Sequence, residues 1–403
     1  MTTSISTSNI SNATSSIVPD SDEITMLRDS VAKIAATYGH AYYRERADLP
    51  DGQTPELWAD LAHAGFVGVN LPVEYGGGGG GIAELSIVCE ELAAAGCPLL
   101  LLMVSPAICG SIIARFGTPV QRQRWLPIVA SVGDPISKMA FAITEADAGS
   151  NSHNVATQAK NVADAWVLNG SKTFISGVDE AVAMLVVART GTNETTGRAE
   201  LSLFIVDTDT PGLQRQLIRT EVVAPERQYT LFFDDVAVAE DRLIGTAGDG
   251  LRQVFSGLNP ERITGAAMLN GIGRYALDRA AVYANEREVW GAPIGAHQGI
   301  AHPLAEAKIQ LELARLMTWR AAELYDSGAD AGEAANIAKF AAAEAALFCL
   351  DRAIQTHGGN GMTTEYGLAD MWGMARLLRI APVSREMILN YVAQHSLSLP
   401  RSY

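Results

Sequence analysis

The chain has 403 residues, enough for two or three domains of roughly 150 residues each, and 48% are apolar against 19% charged. Thirty Lys and Arg against 45 Asp and Glu leave a formal charge of −15, which argues against a nucleic-acid or anionic-membrane surface. No apolar stretch reaches the roughly 18 residues of a membrane span; the longest, Cys97 to Cys109, is broken by Pro98, Ser105 and Pro106. A small anionic ligand stays open, because a local set of donors can hold phosphate on an acidic protein.

Residues 1–21 are rich in Ser, Thr and Asn and have almost nothing to bury. They lack the basic and long apolar regions of a secretory signal and the Arg of a transit peptide, so a disordered tail is expected. From Asp22 to about Ser137 the chain reads as an N-terminal helical domain, with Ala-rich stretches such as Leu57 to Ala64 and Glu91 to Ala95. Six consecutive glycines, Gly76 to Gly81, interrupt it. No strand precedes them and no Gly-Lys-Ser/Thr ending follows, so they read as a flexible inter-helix loop, not a phosphate cradle.

The texture changes at Lys138. Short β-rich runs follow at Phe141–Thr144, Trp166–Leu168, Met184–Ala188, Leu201–Val206 and Thr230–Phe233, and Asn169-Gly170 reads as a hairpin turn. This spacing predicts a small antiparallel β-barrel or sandwich over 138–245. Helical periodicity then returns over 246–403. Ile263, Ala266, Leu269, Ile272, Ala276, Ala280 and Tyr283 make one stripe, and Leu304, Ala307, Leu311, Ala314, Ala321 and Leu324 a second. Further helices are expected over Ala334 to His357 and Leu368 to His395, completing a C-terminal four-helix bundle. The fold class is mainly α with a central β domain. The four cysteines, Cys89, Cys97, Cys109 and Cys349, read as reduced core residues of a cytoplasmic protein, and neither they nor the seven histidines show metal-ligand spacing, so no metal is expected.

Several separate segments share one resemblance: Leu71-Pro72-Val73-Glu74-Tyr75-Gly76-Gly77, Ile143 to Asn151, Leu168 to Gly177, Tyr283 to Arg287 through Gln298, and Ile354 to Gly361. In this order they resemble the flavin-dependent acyl-CoA dehydrogenase superfamily over nearly the whole chain after the tail. The resemblance implies FAD. Phe141, Ile143 and Thr144 would run along the flavin edge, with Phe174 and Ser176 where the family usually places Trp and Thr against the isoalloxazine. Arg287 and Gln355 match positions at the pyrophosphate and adenosine end, where Gly358 and Gly359 let backbone approach closely, and Trp290 and Gln298 are further cofactor-binding candidates; in the family these FAD contacts cross between subunits of a homotetramer, a dimer of dimers. Ser150 matches a contact to the CoA portion. Alone, Arg287 would read as a solvated helix charge and Ser150 as a turn serine.

The family's reaction removes an α-proton from an acyl-CoA thioester while the β-hydrogen leaves as hydride to flavin N5, so the site needs a carboxylate base. Most members carry that Glu near the C-terminus, where this chain has Pro382, which neither accepts a proton nor offers an N–H. Isovaleryl-CoA and long-chain acyl-CoA dehydrogenases place it before an Arg at the start of the first long C-terminal helix, and this chain has Pro260-Glu261-Arg262 there. Glu261 is therefore the candidate base and Arg262 a neighbouring substrate-site residue. The plain alternative is a first-turn Glu behind a Pro at N1. Upstream, Gly373-Met374 replaces the family's usual Arg-Asp. The resemblance also implies an electron-transfer flavoprotein as acceptor. A flavin monooxygenase or oxidase on the same scaffold and an acyl-CoA-binding protein without catalysis are the competing readings.

Overall fold

The structure is a computed structural model in which residues 20–195 and 197–401 are described. The predicted tail lies outside the described residues except for Asp20 and Ser21, and these two are engaged. Ser21 caps the first helix by accepting from the Ile24 amide at 3.3 Å, and Asp20 binds Arg28 at 2.8 Å. Helix α1 (Asp22–Asp48) is kinked at Gly39, and α2 (Pro55–His63) begins with Pro at its first position, where the missing N–H costs nothing. Helix α3 (Ile82–Ala94) is buried nearly all round. A single turn, α4 (Leu100–Leu102), leads into a π-helical stretch, Met103–Gly110, then α5 (Ser111–Phe116) and α6 (Pro119–Val129). Pro106 inside that stretch has no N–H to give to the regular ladder.

The glycine run is not a slack linker. The amides of Gly77, Gly78, Gly79 and Gly80 donate to the carbonyls of Pro72, Gly68, Leu71 and Val69. A side chain at Gly77 would collide with the Leu71 carbonyl. The run folds back on the loop before it because nothing but backbone has to fit.

The middle region is one hydrogen-bonded eight-stranded sheet, with no closed barrel among the described residues; its β3 and β7 strands share a core with β1, β4 and β5, as in a sandwich. Its strands are β1 (Met139–Ala142), β2 (Gln158–Val162), β3 (Ala165–Ser176), β4 (Ala183–Thr192), β5 (Ala199–Asp207), β6 (Leu213–Ile218), β7 (Gln228–Ala239) and β8 (Leu243–Ile244). The order is β6-β7-β3-β2-β4-β5-β8, with β1 paired to β4. It is not wholly antiparallel, because β1 runs parallel to β4. Helices cover one face. Leu185 and Val187 pack towards Ile108, Ile112 and Trp125, while Met184 and Val186 point to a separate core with Phe204 and Leu231.

Asn169-Gly170 is not a turn either. The hairpin turn is Ala163-Asp164, between Val162 and Ala165, and β3 runs straight through Asn169 with a register shift at Gly170. There the Asn169 amide donates to Asp235 Oδ1 at 2.9 Å across the sheet, and φ of +146° at Gly170 suits a bulge.

The C-terminal region contains α7 (Gly250–Glu286), a short hairpin of β9 (Glu288–Val289) and β10 (Ala292–Pro293), α8 (Gln298–Asp326) and α9 (Gly332–His357). Helix α7 packs against α3, α8 and α9. Its predicted stripe is buried from Ile263 to Ala280, with Tyr283 partly exposed. The expected helix from Leu368 to His395 is interrupted: α10 (Leu368–Ile380) ends before a cis Ala381-Pro382 peptide, and α11 (Arg385–Tyr391) starts anew behind the capping Ser384. Met374, at the second departure from the family pattern, is a fully buried core residue.

Candidate active site

Helix α7 does not start at Pro260. It starts at Gly250, so Pro260 and Glu261 are its eleventh and twelfth residues and the first-turn reading of Glu261 is removed. The proline has no N–H for the Ser256 carbonyl one turn back, and the Tyr325 hydroxyl donates to that carbonyl at 3.2 Å. Thr264 in turn donates to the Pro260 carbonyl at 2.8 Å. Tertiary contacts thus hold the helix straight through a residue that should end it.

Glu261 keeps part of its surface exposed, yet protein surrounds its carboxyl closely enough that burial raises it to about 8, against the lowering effect of Arg262 and Lys339. Among the described residues nothing forms a hydrogen bond or ion pair with that carboxylate. The neighbouring Arg262 donates through Nη1 to Asn259 Oδ1 at 2.8 Å, and its Nε is buried without an acceptor. Burial also lowers the Arg262 guanidinium, with Glu261 and Tyr391 opposing. An unpaired carboxyl beside a buried, partly unsatisfied donor is a site arranged for something that is not the protein itself.

The same place meets the sheet. Cys109, in the π-helical stretch, donates to the Ala140 carbonyl of β1 at 3.3 Å and lies within electrostatic reach of Glu261. Strand β1 carries buried Phe141, and Ile143 and Thr144 follow just beyond its end, half-buried. Lys172 of β3 donates to the Ile143 carbonyl at 2.9 Å and to Glu145 at 2.7 Å, and the Thr173 amide donates to the Thr144 carbonyl at 2.9 Å. Burial brings the Lys172 ammonium down to about 8 with Glu145 opposing; burial pushes Glu145 up, but Lys172 and two amides outweigh it. These bonds place Thr144 beside Phe174, whose ring is 60% exposed at a backbone φ of +55°. Ser176 pairs with Gln228 of β7 at 2.9–3.1 Å. Ser150 is exposed past the turn closed by Glu145 and Ala148.

The remaining predicted residues lie elsewhere. Arg287 follows the last residue of α7, twenty-six positions beyond Glu261 and about 39 Å away along a straight helix. Gln355, Gly358 and Gly359 meet it there: Tyr283 stacks on His357 at 4.3 Å, and Asn360 donates to the Tyr283 hydroxyl at 3.2 Å. Gln298 is exposed at the start of α8, and Trp290 in the β9–β10 hairpin is 92% exposed. The side chains of Arg287, Gln298 and Gln355 make no hydrogen bond or ion pair among the described residues, and open space lies over Gly358 and Gly359. A large flat ligand fits both groups. One offers an exposed ring, hydroxyls and a strand end, and the other an unpaired guanidinium, amides and uncrowded backbone. One chain does not bring the two groups together.

The sequence reading missed Lys339, Cys109 and Gln228. Only Lys339 left a signal: it is the single cation between Gly332 and Asp351, inside an Ala-rich helix.

Residues 21–133, 140–236 and 248–397 match the N-terminal, middle and C-terminal domains of acyl-CoA dehydrogenase. The chain is 55% identical over 386 residues to acyl-CoA dehydrogenase FadE12 of Mycobacterium tuberculosis, covering 95% of this chain and 98% of that one. Among solved structures it resembles the glutaryl-CoA dehydrogenase–glutaryl-CoA complex, with a TM-score of 0.88, 29% identity and coverage of 96% and 98%. It also resembles the FAD complex of PigA, with a TM-score of 0.87, 25% identity and coverage of 95% and 99%.

Proposed function

The chain belongs to the acyl-CoA dehydrogenase family, and from that premise we infer that it is an FAD-dependent oxidoreductase converting an acyl-CoA thioester to the 2-enoyl-CoA with Glu261 as α-proton base. The observation that carries the base assignment is the Glu261 carboxyl itself: surrounded by protein, unpaired, and raised to about 8, near the pH at which a general base works best. Pro382 cannot take that role. Glu261 abstracts the α-proton in its carboxylate form, so turnover rises with pH through its titration. Arg262 Nε, buried without an acceptor, offers a donor to a substrate oxygen, and Ser150 contacts the CoA portion.

FAD, when bound, supplies the hydride acceptor. Phe141, Ile143, Thr144, Phe174 and Ser176 would hold its flavin, and the Lys172–Glu145 pair keeps the 143–144 turn in place. Arg287, Trp290, Gln298, Gln355, Gly358 and Gly359 would hold the pyrophosphate and adenosine end of a cofactor bound mainly by a neighbouring subunit, because they lie so far from Glu261. This requires an oligomer, and we propose the homotetramer, a dimer of dimers. Ile309, Leu313 and Leu316 on α8 form an exposed apolar stripe at helical spacing that suits such an interface. An electron-transfer flavoprotein is the proposed electron acceptor and the cytoplasm the proposed location. No helix among the described residues is long and apolar enough to cross a membrane. Within this reading the chain divides into 22–137, 138–245 and 246–403.

Anaerobic titration of the yellow protein with a panel of acyl-CoAs tests this. Bleaching of oxidised flavin, slowed by about 10²- to 10⁴-fold in Glu261→Gln, is expected. Rapid peroxide formation would shift the reading to an oxygen-using relative, and binding without bleaching by any acyl-CoA to a binding protein.

A further inference from the structure

Lys339 lies in the middle of α9 with 1% of its surface exposed. A buried ammonium normally has a carboxylate bonded to it. This one donates instead to two backbone carbonyls, Val383 at 2.6 Å and Arg379 at 3.2 Å. Those carbonyls flank the turn between α10 and α11 that contains Pro382. The carboxylate that attracts the ammonium most is Glu261, which also feels it, and among the described residues the two share no hydrogen bond.

We propose that Lys339 is a positioning residue for the reaction: it clamps the 379–383 turn through two carbonyls and sets its ammonium against Glu261. The proposal rests on Glu261 being the base. Charged and titratable groups face the pair from every element packed against it. Arg262 on α7 acts on both. Arg379 on α10 and Glu386 on α11 act on Lys339, Tyr391 on α11 acts on Arg262, and Cys109 faces Glu261 from the π-helical stretch. Burial lowers the Lys339 ammonium to about 8 while Glu261 pulls it back up, the counterpart of what Lys339 does to the carboxyl. A neutral side chain at 339 removes one of the two attractions for the Glu261 carboxylate, so the carboxyl should titrate higher still.

Three variants separate the charge from the clamp. Lys339→Arg keeps both, Lys339→Gln keeps amide donors for the carbonyls without charge, and Lys339→Met keeps neither. Two readouts are taken on the purified flavoprotein. One is the infrared carboxyl band of Glu261, isolated by subtracting the Glu261→Gln spectrum in the absence of substrate. The other is the acid limb of kcat/KM for an acyl-CoA. Both midpoints should rise by about one pH unit in the Gln and Met variants, with kcat/KM falling about tenfold at pH 6.5, and stay in place in Arg. The Met variant should lose additional kcat/KM at every pH. A wild-type band midpoint in Lys339→Gln overturns the electrostatic role, and equal losses in Gln and Met overturn the clamp. A shifted band with an unmoved acid limb supports the pairing and overturns Glu261 as the base.

Discussion

Helix α7 carries two buried charged regions only thirteen residues apart, and they have opposite characters. At Arg274 the charges are paired to excess. Arg274 binds Glu90 at 2.9 Å and Glu91 at 2.6 Å, Arg315 binds Glu90 and Glu312 at 2.9 Å each, and Arg28 binds Glu91 at 2.6 Å. At Glu261 no charge among the described residues is within bonding distance of the carboxylate. Burial pushes both Glu90 and Glu261 up. Arg315, Arg274 and Arg28 overturn that at Glu90 and bring it to about 2, while Arg262 and Lys339 only moderate it at Glu261, which stays near 8. The lesson is that burial does not decide a carboxyl's state; the number of cations bonded to it does. The paired cluster joins α1, α3, α7 and α8, and the unpaired one is left for chemistry.

Substitution at the two carboxyls should therefore separate stability from activity. The largest stability loss is expected from Glu90→Gln, which strips a carboxylate from buried guanidiniums and should cost about 3–5 kcal/mol in denaturant unfolding. Because Glu90 is held below its ordinary range, its contribution is present at neutral pH and disappears as pH falls from about 4.5 towards 2.

Glu261→Gln should do the reverse. A carboxyl raised by folding makes the native state less stable as pH climbs from its ordinary value through about 8. The variant should gain on wild type over that window, by about 4 kcal/mol at pH 8.5 relative to pH 5, while losing flavin reduction. A constant difference across the two pH values would contradict the burial of this carboxyl.

Two smaller changes sharpen the contrast from either side. Tyr325→Phe leaves the Ser256 carbonyl without its donor beside Pro260 and should cost about 1 kcal/mol, read by thermal unfolding. Asp249→Ala breaks the exposed pair with Arg252 near the start of α7 and should cost less than about 1 kcal/mol, a loss that salt should largely erase.

Much of the molecule was readable before its coordinates. The stripe from Ile263 to Ala280 has helical spacing because one face of α7 is buried, and α9 was expected to within two residues at its start and to the residue at its end. Where local signals misled, a long-range partner had intervened. Asn169-Gly170 carries the composition of a turn, yet Asp235 on β7 captures Asn169 and the strand continues. Pro260 carries the composition of a helix start, yet Tyr325 on α8 takes up the carbonyl it leaves bare. Gly76 to Gly81 look like slack chain, yet the amides of the first five are bonded to the preceding loop and that of Gly81 to Glu84.

Residue order alone carried the helical, β, helical succession, since periodicity is a property of neighbours along the chain, and the family resemblance of its motifs implied the empty base slot at Pro382 and the candidacy of Glu261. The state of Glu261 belongs to the fold. The carboxyl is raised because α7, α9 and the π-helical stretch close around it, while Lys339, seventy-eight positions away, acts on it through space and donates its hydrogen bonds to Val383 and Arg379. Desolvation and electrostatic reach depend on distances in space, and only packing sets those.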